Sequence, residues 1–372
     1  MKVLVTGAGG FLGWHVGVRV RAERVHSLVA VDRSGWTDLP QLLSHANAVL
    51  HLAGVNRGSE DEVVNGNLAL AHELAEAVRR AERPPTHLVY ANSVQALTTS
   101  PYGSAKAEAA TVLAAAATEV GTVFVDVLLP NLLGEHGRPR YNSFVATFVD
   151  AVLRGDAPQV ADRPITLLHA QGAAQVLLRA LAEPQSTQLH PGGHDTSVIT
   201  VLATLQQLHR GYHDADLPEL TDPLHLELFN MLRSAAFPAG SPRPLLRRAD
   251  QRGALTEVVR SPGGGGQTFV STTLPGITRG EHFHLRKVER FVVLDGQARI
   301  ELRRVLHDEV VGFDVDGEQP CLVDMPTMWV HNITNTGSTP LTTLFWTNEL
   351  FDPAHPDTYP EPVRQRQLAH VP

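Results

Sequence analysis

Four side chains of metal-ligand type lie near the carboxyl end of the 372-residue chain: His282, His284, Glu289 and His331. Imidazole and carboxylate ligands suit Zn, Mn, Fe, Co or Ni, and their types alone do not choose among these metals. His282 and His284 would share one face of a strand, because side chains alternate. Glu289 lies an odd number of residues further on, so it needs a turn, a bulge or the next strand to join them. The spacing predicts a divalent metal site, either catalytic or structural.

The amino end carries a second pattern with chemical meaning, the glycine-rich turn TGAGGFLG. It follows a short apolar run and precedes an apolar helix, which is the context of a dinucleotide-binding turn. Glycine lets the backbone approach a pyrophosphate, whose charge then sits at the helix N-terminus. The predicted cofactor contacts here are Gly7, Gly10, Phe11, Leu12 and Gly13.

Asp32 and Arg33 follow the second apolar run, about 20 residues after the glycine turn. A carboxylate at this place can accept hydrogen bonds from the adenosine ribose and favours NAD. An adjacent arginine can hold a 2′-phosphate and favours NADP. The pair predicts a nicotinamide cofactor and leaves the choice between the two open.

Tyr102 and Lys106 lie four residues apart in an alanine-rich segment, with Ser93 upstream. On a helix they would share one face, so we expect the Lys106 ammonium to lower the pKa of the Tyr102 phenol. Tyr102 could then donate a proton to a carbonyl oxygen during hydride transfer, with Ser93 hydrogen-bonded to that oxygen. The three residues predict reduction of a ketone.

The elements that must position these residues change along the chain. Up to about residue 180, short β-branched runs alternate with Ala- and Leu-rich segments, as in a parallel sheet covered by helices. A stretch with three prolines, 238–244, resembles a linker, and after Asp250 short alternating strands dominate. We expect a dinucleotide- and sugar-binding domain over 1–243 and a metal-binding β domain over 244–372.

Composition narrows the class of protein. With 43% hydrophobic and 19% charged residues the chain reads as globular, and its net charge of -8 argues against a general nucleic-acid binder. Its one cysteine, Cys321, excludes an internal disulfide. No signal peptide and no apolar run of about 20 residues is evident. We therefore expect a cytoplasmic protein without a membrane partner.

The first part of the chain resembles the extended short-chain dehydrogenase/reductases. The resemblance rests on TGAGGFLG, on His51-Leu52-Ala53-Gly54, on Asn67 and on Tyr102-Gly103-Ser104-Ala105-Lys106. It implies an α/β Rossmann fold with Ser93, Tyr102 and Lys106 as the catalytic triad. It also implies cofactor contacts from Leu52, Ala53, Gly54, Asn67, Pro130 and Leu132, besides Tyr102 and Lys106 themselves, and a sugar contact from Asn131. Val94-Gln95 stands where dehydratases of this family carry Asp-Glu, which argues against dehydration.

Basic and polar residues follow Asn131 and give this acidic chain local partners for a diphosphate. They are Arg138, Arg140, Tyr141 and Asn142, with Arg163 further on. The planar guanidinium matches phosphate oxygens, and solvated loop charges are the alternative interpretation. We expect Arg138, Tyr141 and Asn142 to contact the substrate.

The last part resembles a metal-binding cupin, an all-β jelly-roll barrel. The first motif runs from Gly276 to Gly296 and contains His282, His284 and Glu289. The second runs from Pro326 to Asn335 and contains His331, with Met328 at the usual glycine. A metal that polarises a ketone makes the neighbouring C–H acidic, which would allow epimerisation. Lys287 is the nearest candidate base.

Taken whole, the chain resembles bifunctional enzymes of capsular-polysaccharide biosynthesis. Besides both sets of motifs, the resemblance includes Asp250-Gln251-Arg252-Gly253 and Pro356-Asp357-Thr358-Tyr359. It implies a homodimer in which a zinc cupin inverts C3 of a UDP-4-keto-6-deoxy-N-acetylhexosamine. The reductase domain then reduces the C4 ketone with NADPH to a 6-deoxy-talosamine nucleotide. NADH and a dTDP-linked sugar are the alternatives.

Two other hypotheses remain open at this stage. In one, the cupin is only a metal-stabilised dimerisation module attached to a reductase. In the other, the chain senses nucleotides without turnover, against which the intact set of Ser93, Tyr102 and Lys106 argues.

Overall fold

A computed structural model describes residues 1–213, 216–251, 253–262 and 264–364. The chain divides into two compact units, one of Met1–Thr147 with Gln159–Val201 and one of Phe148–Pro158 with Leu202–Pro372. Residues 202–243 thus group with the C-terminal unit. The predicted boundary between 243 and 244, as a division into separately folding domains, stays a prediction.

The first unit is an α/β Rossmann-like fold. Its main sheet contains six parallel strands in the order β2-β1-β3-β4-β5-β8. A small sheet in the order β6-β7-β9 lies in the same unit. The strands are β1 Lys2–Thr6, β2 Ser27–Val31, β3 Ala48–His51, β4 His87–Ser93, β5 Val123–Leu129, β6 Asn131–Leu133, β7 Pro164–His169, β8 Thr187–Leu189 and β9 His194–Ser197.

Side-chain caps mark the start of two long helices of the first unit. Ser59 and Glu62 form a reciprocal capping box that starts α3, and Ser100 caps α4 ahead of Pro101. The helices are α1 Phe11–Glu23, α2 Leu39–Ser44, α3 Glu60–Arg80, α4 Pro101–Val120, α5 Phe144–Leu153, α6 Ala170–Arg179, α7 Val198–His213 and α8 Pro223–Ala236. None of the helices described is long and apolar enough to cross a membrane.

Both faces of the main sheet are covered, which explains why its strands are apolar throughout. Leu4, Val49 and Leu88 face residues of α3 and α4 such as Leu74 and Leu113. The alternate side chains face the other core, which includes residues of α1 and α6. The carboxyl ends of β1, β3, β4 and β5 therefore open at one edge of the sheet, where α/β proteins bind ligands.

The C-terminal unit is built around a cupin-like barrel of two five-stranded antiparallel sheets, β10-β18-β15-β20-β13 and β17-β16-β19-β14-β21. A hairpin, β11–β12, is separate. Apolar residues of both sheets, among them Phe291, Phe345, Ile300 and Ile333, form the core between them. The strands are β10 Arg243–Pro244, β11 Arg247–Asp250, β12 Gly253–Thr256, β13 Gln267–Thr273, β14 Thr278–Phe283, β15 Glu289–Asp295, β16 Gln297–Arg304, β17 Val310–Asp316, β18 Cys321–Met325, β19 Trp329–Asn335, β20 Leu341–Thr347 and β21 Tyr359–Pro360.

The predicted linker over 238–244 is wrong at its carboxyl end. Arg243 and Pro244 form β10, which pairs with Leu322 and Cys321 at the edge of a barrel sheet. Proline is tolerated there because an edge strand leaves one row of backbone groups unpaired. The Arg243 side chain also lies over the Tyr212 ring, 3.8 Å from its centroid.

Candidate active site and metal centre

The glycine turn between β1 and α1 contacts the segment after β3. Gly7 has φ +73°, and a Cβ there would lie 2.7 Å from the Ala53 backbone nitrogen. A Cβ at Gly13 would collide with the carbonyl oxygen of Gly7. Only glycine fits both places, so the turn and the Leu52-Ala53-Gly54 segment form one tight backbone surface at the carboxyl edge of the sheet.

Asn67 holds that segment through the backbone. Its amide nitrogen donates to the carbonyl oxygens of Val55 and Val63, each at 2.7 Å, and its amide oxygen accepts from Val55 N–H at 3.3 Å. The side chain is buried on α3. In the structure Asn67 therefore shapes the loop after β3 that the predicted cofactor contacts occupy.

The remaining predicted cofactor contacts lie in or beside strands near the glycine turn. Asp32 is exposed after β2 and accepts a hydrogen bond from Gly35 N–H at 3.3 Å, whereas the side chain of Arg33 lies outside the described part. Pro130 and Leu132 flank Asn131 at the start of β6. The Phe11 ring packs beside Gly134, so α1 adjoins the segment that follows β6.

The predicted catalytic trio occupies the carboxyl end of β4 and the first turns of α4. Ser93 is the last residue of β4, and its hydroxyl accepts a hydrogen bond from Gln95 N–H at 3.2 Å. A Cβ at Gly103 would meet the Gln95 carbonyl oxygen. Glycine after Tyr102 therefore lets the first turn of α4 lie directly against the turn that follows Ser93.

Lys106 is buried beneath this turn. Its Nζ donates to the Ala91 carbonyl oxygen at 3.1 Å and lies 4.1 Å from the centroid of the Tyr90 ring. Burial lowers the pKa of Lys106 to about 7, while Asp126 acts in the opposite direction. Burial raises the pKa of Tyr102. The expected lowering of the Tyr102 pKa is therefore wrong for this structure, because Tyr102 is itself desolvated and Lys106 is bonded to β4.

A cavity of about 540 Å³ lies next to the end of β4. Val94, directly after Ser93, lines it together with Asn131. Arg163 and Asp195 also line it, and Thr166 donates its hydroxyl to Asp195 at 2.6 Å. The cavity brings together two of the predicted sugar or diphosphate contacts, Asn131 and Arg163.

Arg138 and Tyr141 meet in a second cluster, where sequence reasoning missed one member. The Arg57 guanidinium lies 5.0 Å from the centroid of the Tyr141 ring, and that of Arg138 lies 5.3 Å from it. Arg57 also donates to the Arg140 carbonyl oxygen at 2.5 Å. Tyr141 remains 43% exposed, and Asn142 is exposed in the same turn. For Arg57 the sequence offered one signal, its position shortly after the Leu52-Ala53-Gly54 segment.

The four predicted metal ligands converge in the barrel. One donor atom from each of His282, His284, Glu289 and His331 lies within 4.8 Å of the others. Glu289 arrives as the first residue of the next strand, β15, which is one of the three alternatives that its odd spacing allowed. A bulge at Gly280 and Glu281 shifts the register of β14 just before His282. The four side chains therefore meet at one place, and their role as metal ligands stays a prediction.

Hydrogen bonds fix which nitrogen of two ligands faces the centre. Nδ1 of His284 donates to the Asp357 carbonyl oxygen at 2.6 Å, and Nδ1 of His331 donates to that of Trp329 at 3.2 Å. Both Nε2 atoms then lie 3.1 Å from the same oxygen of Glu289. Burial and the neighbouring histidines lower the pKa of His282 to about 3, so it is a neutral imidazole. Three imidazoles and one carboxylate fit a divalent metal.

Two further residues shape this centre. Met328, at the motif's usual glycine, adopts φ +61°, which is the conformation that glycine would take freely. Its N–H donates to the His284 carbonyl oxygen at 2.7 Å. Lys287, the predicted candidate base, is buried and donates Nζ to the Pro356 carbonyl oxygen at 2.8 Å. That contact joins the loop between β14 and β15, called the metal loop below, to the tail that follows β20. We therefore assign Lys287 no proton transfer.

Asp357 connects the tail to the metal loop more extensively. Its carboxylate accepts from the N–H groups of Leu285 at 3.1 Å, Arg286 at 3.0 Å and Lys287 at 2.9 Å, while its carbonyl accepts from His284. Sequence reasoning had included Asp357 only as part of a matching segment. The buried carboxylate holds the loop that carries His284.

We expect Asp357→Asn to weaken metal binding by about 10–100-fold, since residues that orient metal ligands have effects of that size. Asparagine tolerates the φ of +42° that Asp357 adopts, but its side chain offers one acceptor oxygen instead of two. Competition with a chromophoric chelator would measure the affinity. Asp352→Asn, an exposed carboxylate in the same tail, is the control, and equal affinities in the two variants would contradict the assignment.

Comparison with known proteins agrees with this geometry. Residues 3–191 match the model of the NAD dependent epimerase/dehydratase family. The chain belongs to that family. Residues 248–359 match the polysaccharide biosynthesis C-terminal domain. A UDP-2-acetamido-2,6-beta-L-arabino-hexul-4-ose reductase of Pseudomonas aeruginosa is 32% identical, with 96% of this chain and 98% of the reductase covered.

Solved structures extend the likeness over both units. The capsular polysaccharide assembling protein CapF of Staphylococcus aureus is 30% identical, with 97% of this chain and all of that chain covered, at a TM-score of 0.63. A further relative by sequence, the spore coat polysaccharide biosynthesis protein SpsL of Bacillus subtilis, is 27% identical, with 31% of this chain and 82% of SpsL covered. The chain is thus a CapF-like extended short-chain dehydrogenase/reductase with a C-terminal cupin-like barrel.

Proposed function

We propose that the chain is a bifunctional nucleotide-sugar epimerase/reductase. In this proposal the cupin inverts C3 of a UDP-4-keto-6-deoxy-N-acetylhexosamine, and the Rossmann unit reduces the C4 ketone to a UDP-6-deoxy-L-talosamine-type sugar for a surface polysaccharide. The observation that carries it is the presence, in one chain, of a Ser-Tyr-Lys site and a His-His-Glu-His centre. The similarity to a reductase of a UDP-linked hexulose over nearly the whole chain supports the substrate class.

The reduction would use the residues at the end of β4 and the start of α4. NADPH, with NADH as the alternative, supplies hydride when bound along the glycine turn. The Tyr102 hydroxyl stays protonated because burial raises its pKa, so it can donate a proton to the C4 oxygen. Ser93 would hydrogen-bond to the same oxygen. A sugar in the cavity lined by Val94 and Asn131 would lie against the residue that directly follows Ser93.

The epimerisation would use the barrel. A divalent metal, zinc or another, supplies polarisation of the ketone when bound. His282, His284, Glu289 and His331 would hold it, and Asp357 would orient the loop that carries His284. A homodimer and a cytoplasmic location belong to the proposal as predictions.

Deuterium incorporation tests both steps at once. We would incubate the protein with UDP- and dTDP-linked 4-keto-6-deoxysugars in deuterated water, with NADPH or NADH, and follow the products by NMR. The proposal expects deuterium at C3 without reductant and a C4 alcohol with it. Reduction without deuterium at C3 would favour a reductase with a structural cupin. If the protein catalyses neither deuterium exchange nor reduction, the proposal is overturned.

Arg57 and Arg138 would contact the substrate diphosphate. The guanidinium groups of both arginines are exposed and contact the Tyr141 ring. They offer planar donors that match phosphate oxygens, in a chain with a net charge of -8. The Arg57 contact with the Arg140 carbonyl holds the two loops together.

We expect Arg57→Ala to raise KM for the nucleotide sugar by about tenfold, corresponding to one charge-assisted hydrogen bond, with little change in kcat. Steady-state kinetics would measure both. Arg83→Ala, another exposed arginine of the same unit, should leave KM unchanged. A fall in kcat with constant KM in Arg57→Ala would contradict a binding role.

A further inference from the structure

Five polar side chains form a row across the main sheet, one from each of five adjacent strands. The strand register pairs Thr6 with His51, His51 with Tyr90, Tyr90 with Asp126 and Asp126 with Gln188. Because paired residues of parallel strands point to the same face, the row lies on the side covered by α3 and α4. Lys106, from α4, rests on the Tyr90 ring within this row.

Asp126 is the carboxylate of the row, and both its oxygens accept hydrogen bonds. One accepts from the Asn92 amide at 2.9 Å and the other from the Gln188 amide at 2.8 Å. Only 6% of its surface is exposed. Neutral amide donors satisfy the carboxylate without cancelling its charge, so its field acts on the cations nearby.

Lys106 is the cation that this field reaches. The titratable groups that face it are Tyr90 on β4, His51 on β3, Asp126 on β5 and Tyr102 on its own helix. Burial and the charge of Lys106 lower the pKa of His51 to about 3, so His51 is neutral. Burial raises the pKa of Tyr90, so that ring is uncharged as well. Asp126 is therefore the group in this set that favours the ammonium form.

Asp126 also reaches the other side of the catalytic site. Asn92 donates to Asp126 with its amide nitrogen and accepts the Ser93 backbone N–H with its amide oxygen at 2.8 Å. The hydrogen bond to Asp126 thus orients the amide that holds the backbone of Ser93. One buried carboxylate is linked to Lys106 by charge and to Ser93 by a chain of two hydrogen bonds.

We propose that Asp126 is a positioning residue of the reductase site, which favours the charged form of Lys106 and, through Asn92, fixes Ser93. The inference rests on the proposed ketone reduction only for its effect on turnover. Its electrostatic part concerns the protein alone. Without its proton Lys106 would be a neutral amine, and the site would lose the positive charge that lies over the Tyr90 ring.

The chain contains only three lysines, Lys2, Lys106 and Lys287, which permits a direct measurement. We would label lysine with 13C at Cε, assign the Lys106 signal with K106R, and titrate it by NMR. We expect Asp126→Asn to lower the Lys106 midpoint by about one pH unit or more, since a nearby opposite charge has an effect of that size. Gln188→Leu removes a hydrogen bond without removing the charge and should move the midpoint less.

An unchanged midpoint in Asp126→Asn, or an equal shift in Gln188→Leu, would overturn the electrostatic role. If Asp126→Asn does not fold, Asp126→Ser, smaller and also neutral, carries the same expectation. With a ketosugar that the wild type reduces, the alkaline limb of kcat should move to lower pH in Asp126→Asn. Asn92→Ala should lower kcat without moving that limb. Failure of the wild type to reduce any ketosugar would count against the proposed function and leave the NMR result valid.

Discussion

Replacement of Tyr102 by phenylalanine is expected to lower the rate of ketone reduction by about 10²–10⁴-fold, the usual contribution of a positioned proton donor. The ring is retained, so the first turn of α4 should keep its packing against the turn after Ser93. Oxidation of NADPH at saturating ketosugar would measure the loss. Incorporation of deuterium beside the ketone should continue, because the metal centre is untouched.

Tyr212→Phe is the matched control. Tyr212 is a buried tyrosine of the C-terminal unit, and its ring contacts Phe229 and the Arg243 guanidinium. Phenylalanine keeps those ring contacts, so reduction should proceed at the rate of the wild type. Equal loss of reduction and deuterium exchange in Tyr102→Phe would contradict the proposed division of labour between the two units.

The second large effect is expected from His284→Ala. Residues that only orient a metal ligand change affinity or activity by about 10–100-fold, so loss of a ligand should lower deuterium incorporation by at least about a hundredfold. Reduction of a sugar that already has the product configuration at C3 should continue. NMR of the exchange, with metal content measured on the same sample, would test this. His307→Ala, an exposed histidine of the same barrel, is the control.

Removal of the metal by a chelator separates a catalytic centre from a structural one. If the metal is catalytic, exchange should stop while the dimer, if one forms, persists. If it is structural, the melting temperature and dimer content should fall while the remaining folded protein still exchanges deuterium. Loss of both exchange and reduction in His284→Ala would contradict separate sites.

Local patterns in the sequence sufficed for much of both sites. The glycine turn, the Tyr102–Lys106 spacing and the four metal ligands each depend on a few residues whose geometry is set by one strand or helix. The odd spacing of Glu289 allowed a turn, a bulge or the next strand, and in the structure Glu289 begins the next strand, β15. Met328 replaces a glycine in the motif, and the chain accepts a positive φ there to preserve the turn.

Other features depended on pairing that no local pattern encodes. Arg243 and Pro244 had the composition of a linker, yet they pair with β18. Tyr102 had been expected to have a lowered pKa, but burial, which depends on the whole fold, raises it. Arg57 and Tyr141 are distant in sequence and meet only because two loops leave the same region of the unit.

The sequence by itself was sufficient to predict which side chains would react, since most of the spacing that places them is short and follows helix and strand periodicity. The tertiary structure decided how those groups are charged and held. Asp126 reads in the sequence as one polar residue within an apolar strand, and its position beside Tyr90 and Gln188 appears only in the register of the parallel sheet. Asp357 likewise reaches the His284 loop only through the folding of the tail. Electric fields and hydrogen bonds act across space, so residues far apart in the chain govern them.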